Sequence, residues 1–275
     1  MPSVESTSAA EHRPSGRSRR VWSLAIRLFH WGLVACVVLS FLTMKVETDL
    51  FDFPQNVHAR AGLIALGLVL FRWGWALVGD YHARIGSWLR SPSVTLAYAR
   101  DLMKRRADIF AGHNPLGGWA VLAMLTSLTI QALTGLFVTD DIFFEAPLHT
   151  LVPAAVSDTA LWIHHLNANV LLALIVLHLG ALLAHRCLGE RLVGAMFSGR
   201  KTLPRGAHWA ETDTETHQQP EQQSDQESDR ASDQQQGQRG SSGKGVEPGR
   251  SALMVRAALL ALFSTGFVMW LWGRL

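Results

Sequence analysis

Long apolar runs alternate with polar connections along this chain. Five of them reach the roughly 20 residues needed to cross a hydrocarbon layer about 30 Å thick. They cover residues 21–44, 58–78, 119–139, 161–183 and 252–272. Run length and hydropathy favour membrane spans over the buried helices of a large soluble protein. The first run carries Arg27 and His30 and lacks a small-residue cleavage site, so it reads as a span rather than a removable leader. Residues 91–112 are too short and too basic to span. Their apolar positions fit a short helix lying in the membrane interface, and equally a solvated loop helix.

Polar segments frame these runs. Residues 1–20 are basic and expected to be disordered. Residues 204–250 are expected to form a disordered linker. From residue 211 they are rich in Gln, Ser, Asp and Gly, with too few large apolar side chains to offset chain entropy. The domain plan is therefore 1–20, a membrane domain over 21–203, the linker over 204–250, and a terminal helix over 251–275. The fold class is an all-α integral membrane protein, a four-helix bundle plus a fifth C-terminal transmembrane helix.

The net charge of +3 says little as a total, but its distribution is informative. Arg13, Arg17, Arg19 and Arg20 precede the first run. Arg84, Arg90, Arg100, Lys104, Arg105 and Arg106 follow the second, and Arg186, Arg191, Arg200, Lys201 and Arg205 follow the fourth. The other two connections are acidic, with Glu47, Asp49 and Asp52 in one and Asp140, Asp141, Glu145 and Asp158 in the other. The positive-inside rule then puts the N-terminus and the linker in the cytoplasm. Membrane orientation explains the basic loops more simply than nucleic-acid binding, so the expected partner surface is the lipid bilayer and no nucleic acid. Trp22, Trp31, Trp73, Trp75 and Trp119 are expected to form an interfacial belt.

Ionisable residues inside a membrane are costly, and histidines there point to function. His30 opens the first span, His58 opens the second, and His164 and His178 lie on the fourth. Fourteen helical steps leave His164 and His178 about 40° apart and about 21 Å apart along one face. That is too far to grip one metal ion and suits two haems stacked across the bilayer. Opposite helix directions pair His30 with His178 at the inner side and His58 with His164 at the outer side. Any one of these histidines alone could be a polar residue bonded between helices; four at two matched depths argue for axial ligands. Two axial imidazoles suit outer-sphere electron transfer. No C-x-x-C-H occurs, so the two haems would be b-type and non-covalent. The two cysteines, Cys36 and Cys187, are not expected to pair.

Other residues fit the haem reading without requiring it. Arg27, Arg60 and Arg72 lie near membrane edges and can pair with a haem propionate, or can simply snorkel. Gly62 is one turn beyond His58, where a missing side chain leaves room for a macrocycle or for helix packing. His165 is about 140° from His178 on an ideal helix and is read as interfacial. His82, His113, His149 and His185 fall in connections or at span ends and are read as surface residues. Two rivals stand beside the cytochrome: a histidine-lined proton or metal transporter, and a haem-free membrane anchor of an enzyme complex. The scarcity of carboxylates within the first four spans weighs against transport.

Several motifs resemble the bacterial cytochrome b561 and nickel–iron hydrogenase b-type cytochrome family. They are Arg27-Leu-Phe-His30-Trp31, His58-Ala-Arg-Ala-Gly62 with Phe71-Arg72-Trp73, and Gly112-His113-Asn114-Pro115-Leu116-Gly117-Gly118. Leu133-Thr134-Gly135-Leu136-Phe137, the pair His164 and His178, and Gly194-Ala-Met-Phe-Ser-Gly199-Arg-Lys201 complete the set. The resemblance covers residues 20–203. It implies a bundle in the bacterial cytoplasmic membrane that passes electrons between a membrane quinone and a redox partner. That partner would be a hydrogenase, a c-type cytochrome or another periplasmic redox protein. Such a chain is an electron-transfer protein or a subunit of an oxidoreductase complex rather than a stand-alone catalyst. By the same resemblance, His30, His58, His164 and His178 are the axial ligands. The His164–His165 doublet and the linker with its fifth helix depart from the plain pattern.

Overall fold

A computed structural model describes residues 18–45, 54–104, 106, 108–110, 112–140, 142, 144–202 and 250–275. Residues 204–249 of the expected linker and residues 1–17 lie outside them, and Arg250 opens the last helix. Among the described residues five helices are long and apolar enough to cross a membrane: α1 (Leu24–Lys45), α2 (Pro54–Val78), α5 (Pro115–Thr134), α6 (Ala154–Cys187) and α8 (Arg250–Trp272). Three shorter helices, α3 (Ile85–Trp88), α4 (Pro92–Met103) and α7 (Leu192–Ser198), lie in the connections. The protein is a multi-pass helical membrane bundle, as its hydropathy pattern predicts.

Helix starts follow capping chemistry. Asn114 caps α5 by accepting from the Gly117 N–H at 2.7 Å, and Pro115 supplies a first residue that has no N–H to satisfy. Ser91 and Pro92 play the same parts for α4. The predicted third span therefore shifts towards the N-terminus, because the helix stops at Thr134 and the chain turns at 135–137. α6 has 34 residues and so is about 51 Å long, well beyond the membrane thickness.

α2 is the central helix. It packs on α1, α5 and α8, and buries Leu63, Leu66, Val69 and Trp75. α8 seats closely against it: a Cβ on Gly67 would come within 2.8 Å of Val268, and one on Gly74 within 2.5 Å of Leu260. Small residues let helices approach in lipid, where packing rather than water exclusion joins them. α6 packs chiefly on α5, through Asn167, which bonds Ser127 and Gln131. Much of the rest of α6 is exposed, as expected for a helix facing lipid or a ligand.

Contacts fix the helix directions. The start of α2 meets the end of α1 through His58 and Ser40, and the start of α6 meets the end of α5 through His164 and Thr134. Arg256, early in α8, donates to the Val78 carbonyl at the end of α2, while Trp272 lies by Arg60 at the other end. The bundle thus has a near end, where α1 begins, and a far end, where α1 stops.

Some expectations need correction. Residues 18–20 are not disordered: β1 (Ser18–Arg20) pairs antiparallel with β2 (Arg200–Thr202), closing the domain's two ends together. Gly199, at φ +77°, ends α7 and turns the chain into β2, and its carbonyl accepts from the Val21 and Trp22 N–H groups. Trp22 and Trp75 are buried rather than part of an interfacial belt. The Trp75 indole is held by Asp80, whereas Trp31 and Trp119 remain exposed. His82 and His185 are buried and His113 is half-buried, because the connections fold over the near end instead of lying in solvent.

Candidate functional site

At the far end, α2 and α6 bring His58 and His164 together with ring centres 6.0 Å apart. Each ring is oriented through Nδ1. His58 Nδ1 lies 3.1 Å from the Ser40 carbonyl oxygen, which only accepts, so Nδ1 carries the hydrogen. His164 Nδ1 lies 3.1 Å from the Thr134 hydroxyl. That hydroxyl can donate its one hydrogen to the Ile130 carbonyl at 2.8 Å, leaving its oxygen to accept from His164. Both imidazoles then keep a lone pair on Nε2, the state a metal ligand needs. The two rings are close enough that both could reach one metal ion. A Cβ built on Gly62 meets nothing within 4 Å, so the space one turn from His58 is open.

At the near end, His30 of α1 and His178 of α6 lie close enough to interact electrostatically. His30 Nδ1 is buried without a hydrogen-bond partner. α6 is continuous between His164 and His178, so the two histidine sites are about 21 Å apart along it. His165, next to His164, is exposed. Among the described residues no group of three or more His, Cys, Asp or Glu forms a metal-ion cluster. The donor set is paired imidazoles with open space beside one of them, and it fits haem.

The three arginines differ. Arg72 is buried at 4% exposure, donates to the Ala83 carbonyl at 3.3 Å and faces the Trp88 ring. It lies fourteen residues beyond His58, the interval that also separates His164 from His178, so it shares the depth of the near-end pair. Arg27 donates to the Phe197 carbonyl and leaves its buried Nε without a partner. Arg60, two residues from His58 and so about 160° round the helix, lies 5.4 Å from the centre of the Trp272 ring.

Sequence reasoning missed His113. It sits between Trp22 and Trp88, with ring centres 4.8 and 6.3 Å away. Burial, then the positive neighbours Arg72, His82, His178 and Lys201, push its pKa down to about 3, so its imidazole stays neutral. A polar network lies beside it. His185 bonds Glu190 at 3.1 Å and Asn114 at 3.3 Å, and the Lys201 ammonium bonds Glu190 at 2.7 Å and the Phe110 carbonyl at 2.8 Å. Burial pushes the Glu190 carboxyl up, but His185 and Lys201 outweigh it and hold the pKa below its ordinary value. Burial, then the Glu190 charge, raises that of Tyr98. The sequence signals for these residues are the 112–118 and 194–201 motifs, which carry a resemblance and no contact.

Residues 21–199 match the family described as prokaryotic cytochrome b561. The chain belongs to that family. Two curated relatives are similar, the probable Ni/Fe-hydrogenase 1 B-type cytochrome subunits of Escherichia coli strains K12 and O157:H7. Each is 26% identical over 140 residues, covering 43% of this chain. The chain spans 59% of the length of those relatives. The family is one of b-type cytochromes.

Proposed function

We propose that this protein is a di-haem b-type cytochrome that carries electrons across the bacterial cytoplasmic membrane between a quinone and a redox partner. The observation that carries the reading is the far-end pair: two imidazoles with ring centres 6.0 Å apart, each anchored through Nδ1. His58 and His164 would hold one haem, and His30 and His178 the other. When bound, haem b supplies a one-electron iron couple.

The chain's own residues do the rest. Ser40 and Thr134 fix the far-end imidazoles by accepting from Nδ1–H. Gly62 leaves space for the macrocycle edge. Arg72 and Arg27 offer guanidinium donors to propionates at the near end, while Arg60 holds Trp272 as well as any carboxylate. The apolar spans exclude water from both sites. The basic connections support a near end, with the N-terminus, on the cytoplasmic side. An electron crossing the field then gains or loses about 2.3 kcal/mol per 100 mV, so its direction matters energetically. The likeness to hydrogenase cytochrome subunits supports a hydrogenase or similar redox protein as partner.

The test is a pyridine haemochrome assay on acid-acetone extracts of the purified protein, together with dithionite-reduced spectra. Two extractable haems per chain are expected. One haem, or haem that stays with the protein, overturns the di-haem reading. Absence of b-type bands returns the anchor and transporter readings.

A further inference from the structure

The histidine sites leave cavities unused, and one of them is almost wholly apolar. This groove of about 360 Å³ runs between α4 and α5, lined by Pro92, Thr95, Leu96, Ala99, Leu116 and Trp119. Trp119 lies near the start of α5, so the groove sits where the span meets the membrane surface, at the near end. The Trp119 indole donates to the Arg90 carbonyl at 3.1 Å, fixing one end of α4 against the span. α4 lies outside the spanning set yet exposes Val94, Leu96 and Met103, the last at 86%. A helix with that surface rests in the lipid interface.

The groove has a basic rim. Leu96 lines it, Arg100 is one turn further on the same face, and Lys104 one turn beyond that. Arg90 flanks the other end. Among the described residues none of these three cations forms an ion pair; the ion pairs are those of Glu190 with His185 and Lys201. Asp101, the acidic residue on α4, is about 100° round the helix from Arg100 and one turn before Lys104, with which it forms no ion pair. An apolar trough beside unpaired cations matches an amphiphile with an anionic head. A neutral quinone head would leave the cations without a role.

We propose that this groove binds one anionic glycerophospholipid, an acyl chain lying against Leu96, Ala99 and Trp119 and the phosphate held by Arg100, Lys104 and Arg90. Basic pockets beside spans are suited to anionic head groups, and each cation near the surface adds to the attraction. The site stands apart from the haem reading and survives its failure.

Native mass spectrometry of the full-length, delipidated protein tests it, with phosphatidylglycerol or phosphatidylcholine of matched acyl chains added back. One adduct should resist activation, with a preference of about tenfold for phosphatidylglycerol. Arg100→Gln with Lys104→Gln should bring the two lipids close to parity. Ala99→Trp or Thr95→Trp should fill the trough and remove the resistant adduct for both, with helical circular dichroism unchanged. The Gln pair lies on exposed side chains, so it decides the matter even where a Trp variant fails to fold. Equal retention of the two lipids by the parent protein overturns the proposal. So does a preference that survives the Gln pair, or an adduct that survives a folded Trp variant.

Discussion

At the far end, His58 donates its Nδ1 hydrogen to the Ser40 carbonyl, His164 Nδ1 bonds the Thr134 hydroxyl, and the two rings meet edge to face with centres 6.0 Å apart. At the near end, His30 Nδ1 is buried and unbonded, and the surroundings rather than the ring are tied down. Lys201, Glu190, His185 and Asn114 connect β2, the turn after α6, the end of α6 and the cap of α5. One end is ordered through the ligands themselves and the other through the backbone segments around them. A second-shell bond fixes a tautomer directly; a buried network fixes where helix ends sit. The two ends should therefore fail differently.

The largest effects should separate the pairs outright. His58→Ala and His164→Ala should each abolish one spectral component, and His30→Ala and His178→Ala the other, while His165→Ala spares both. Redox titration of each variant reads this. Loss of the same component from His30→Ala and His58→Ala would break the depth pairing. Gly62→Leu comes next. A Cβ there meets no neighbour, so the bundle should tolerate the change while the far-end haem is lost. If Gly62 serves only helix packing, haem content stays at the parent level.

The comparison also explains what could be read in advance. Period-3.6 spacing along α6 put His164 and His178 on one face, and the helices are long and apolar enough to be read as spans. Basic and acidic connections are equally plain in the chain, because charge needs no tertiary contact to be seen. The near-end network was not legible. Its members come from four connections and helix ends that meet only when the connections fold over the bundle. β1 has three residues, too few for an alternation to register. Gly62 and Gly67 look alike in sequence, yet one faces open space and the other the Val268 side chain. Ser40 and Thr134 act through a carbonyl and a helix-end hydroxyl, which residue type alone does not single out.

Breaking the network should cost stability before it costs haem. Lys201 and Glu190 have side-chain exposures of 6% and 12%, so their pair is shielded from solvent. Lys201→Met leaves a half-buried carboxylate with only His185, and should lower stability by about 1 to 3 kcal/mol, below the full cost of breaking a wholly buried pair. The folded-state pKa of Glu190 is depressed. Its contribution is thus present above the unfolded value, near 4.3, and is lost as pH falls through the folded value. Thermal midpoints in detergent should drop between about pH 5 and pH 3 in the parent and less steeply in Glu190→Gln. Equal slopes would remove Glu190 from the acid response.

The smallest effect sharpens the comparison most. Thr134→Val keeps the side-chain shape and removes only the hydroxyl that accepts from His164 Nδ1. Changes in the shell behind a metal ligand typically weaken metal binding by about tenfold to a hundredfold, about 1.4 to 2.8 kcal/mol. The far-end haem should then be retained but exchange faster to an excess of apomyoglobin, with a shifted midpoint potential. The near-end component should keep its potential, because His30 has no such bond to lose. Thr134→Ser, which keeps the hydroxyl, should restore the parent exchange rate. If Thr134→Val moved both components equally, the bond would act through helix packing of α5 on α6. If neither moved, the His164 tautomer would be set by something other than Thr134.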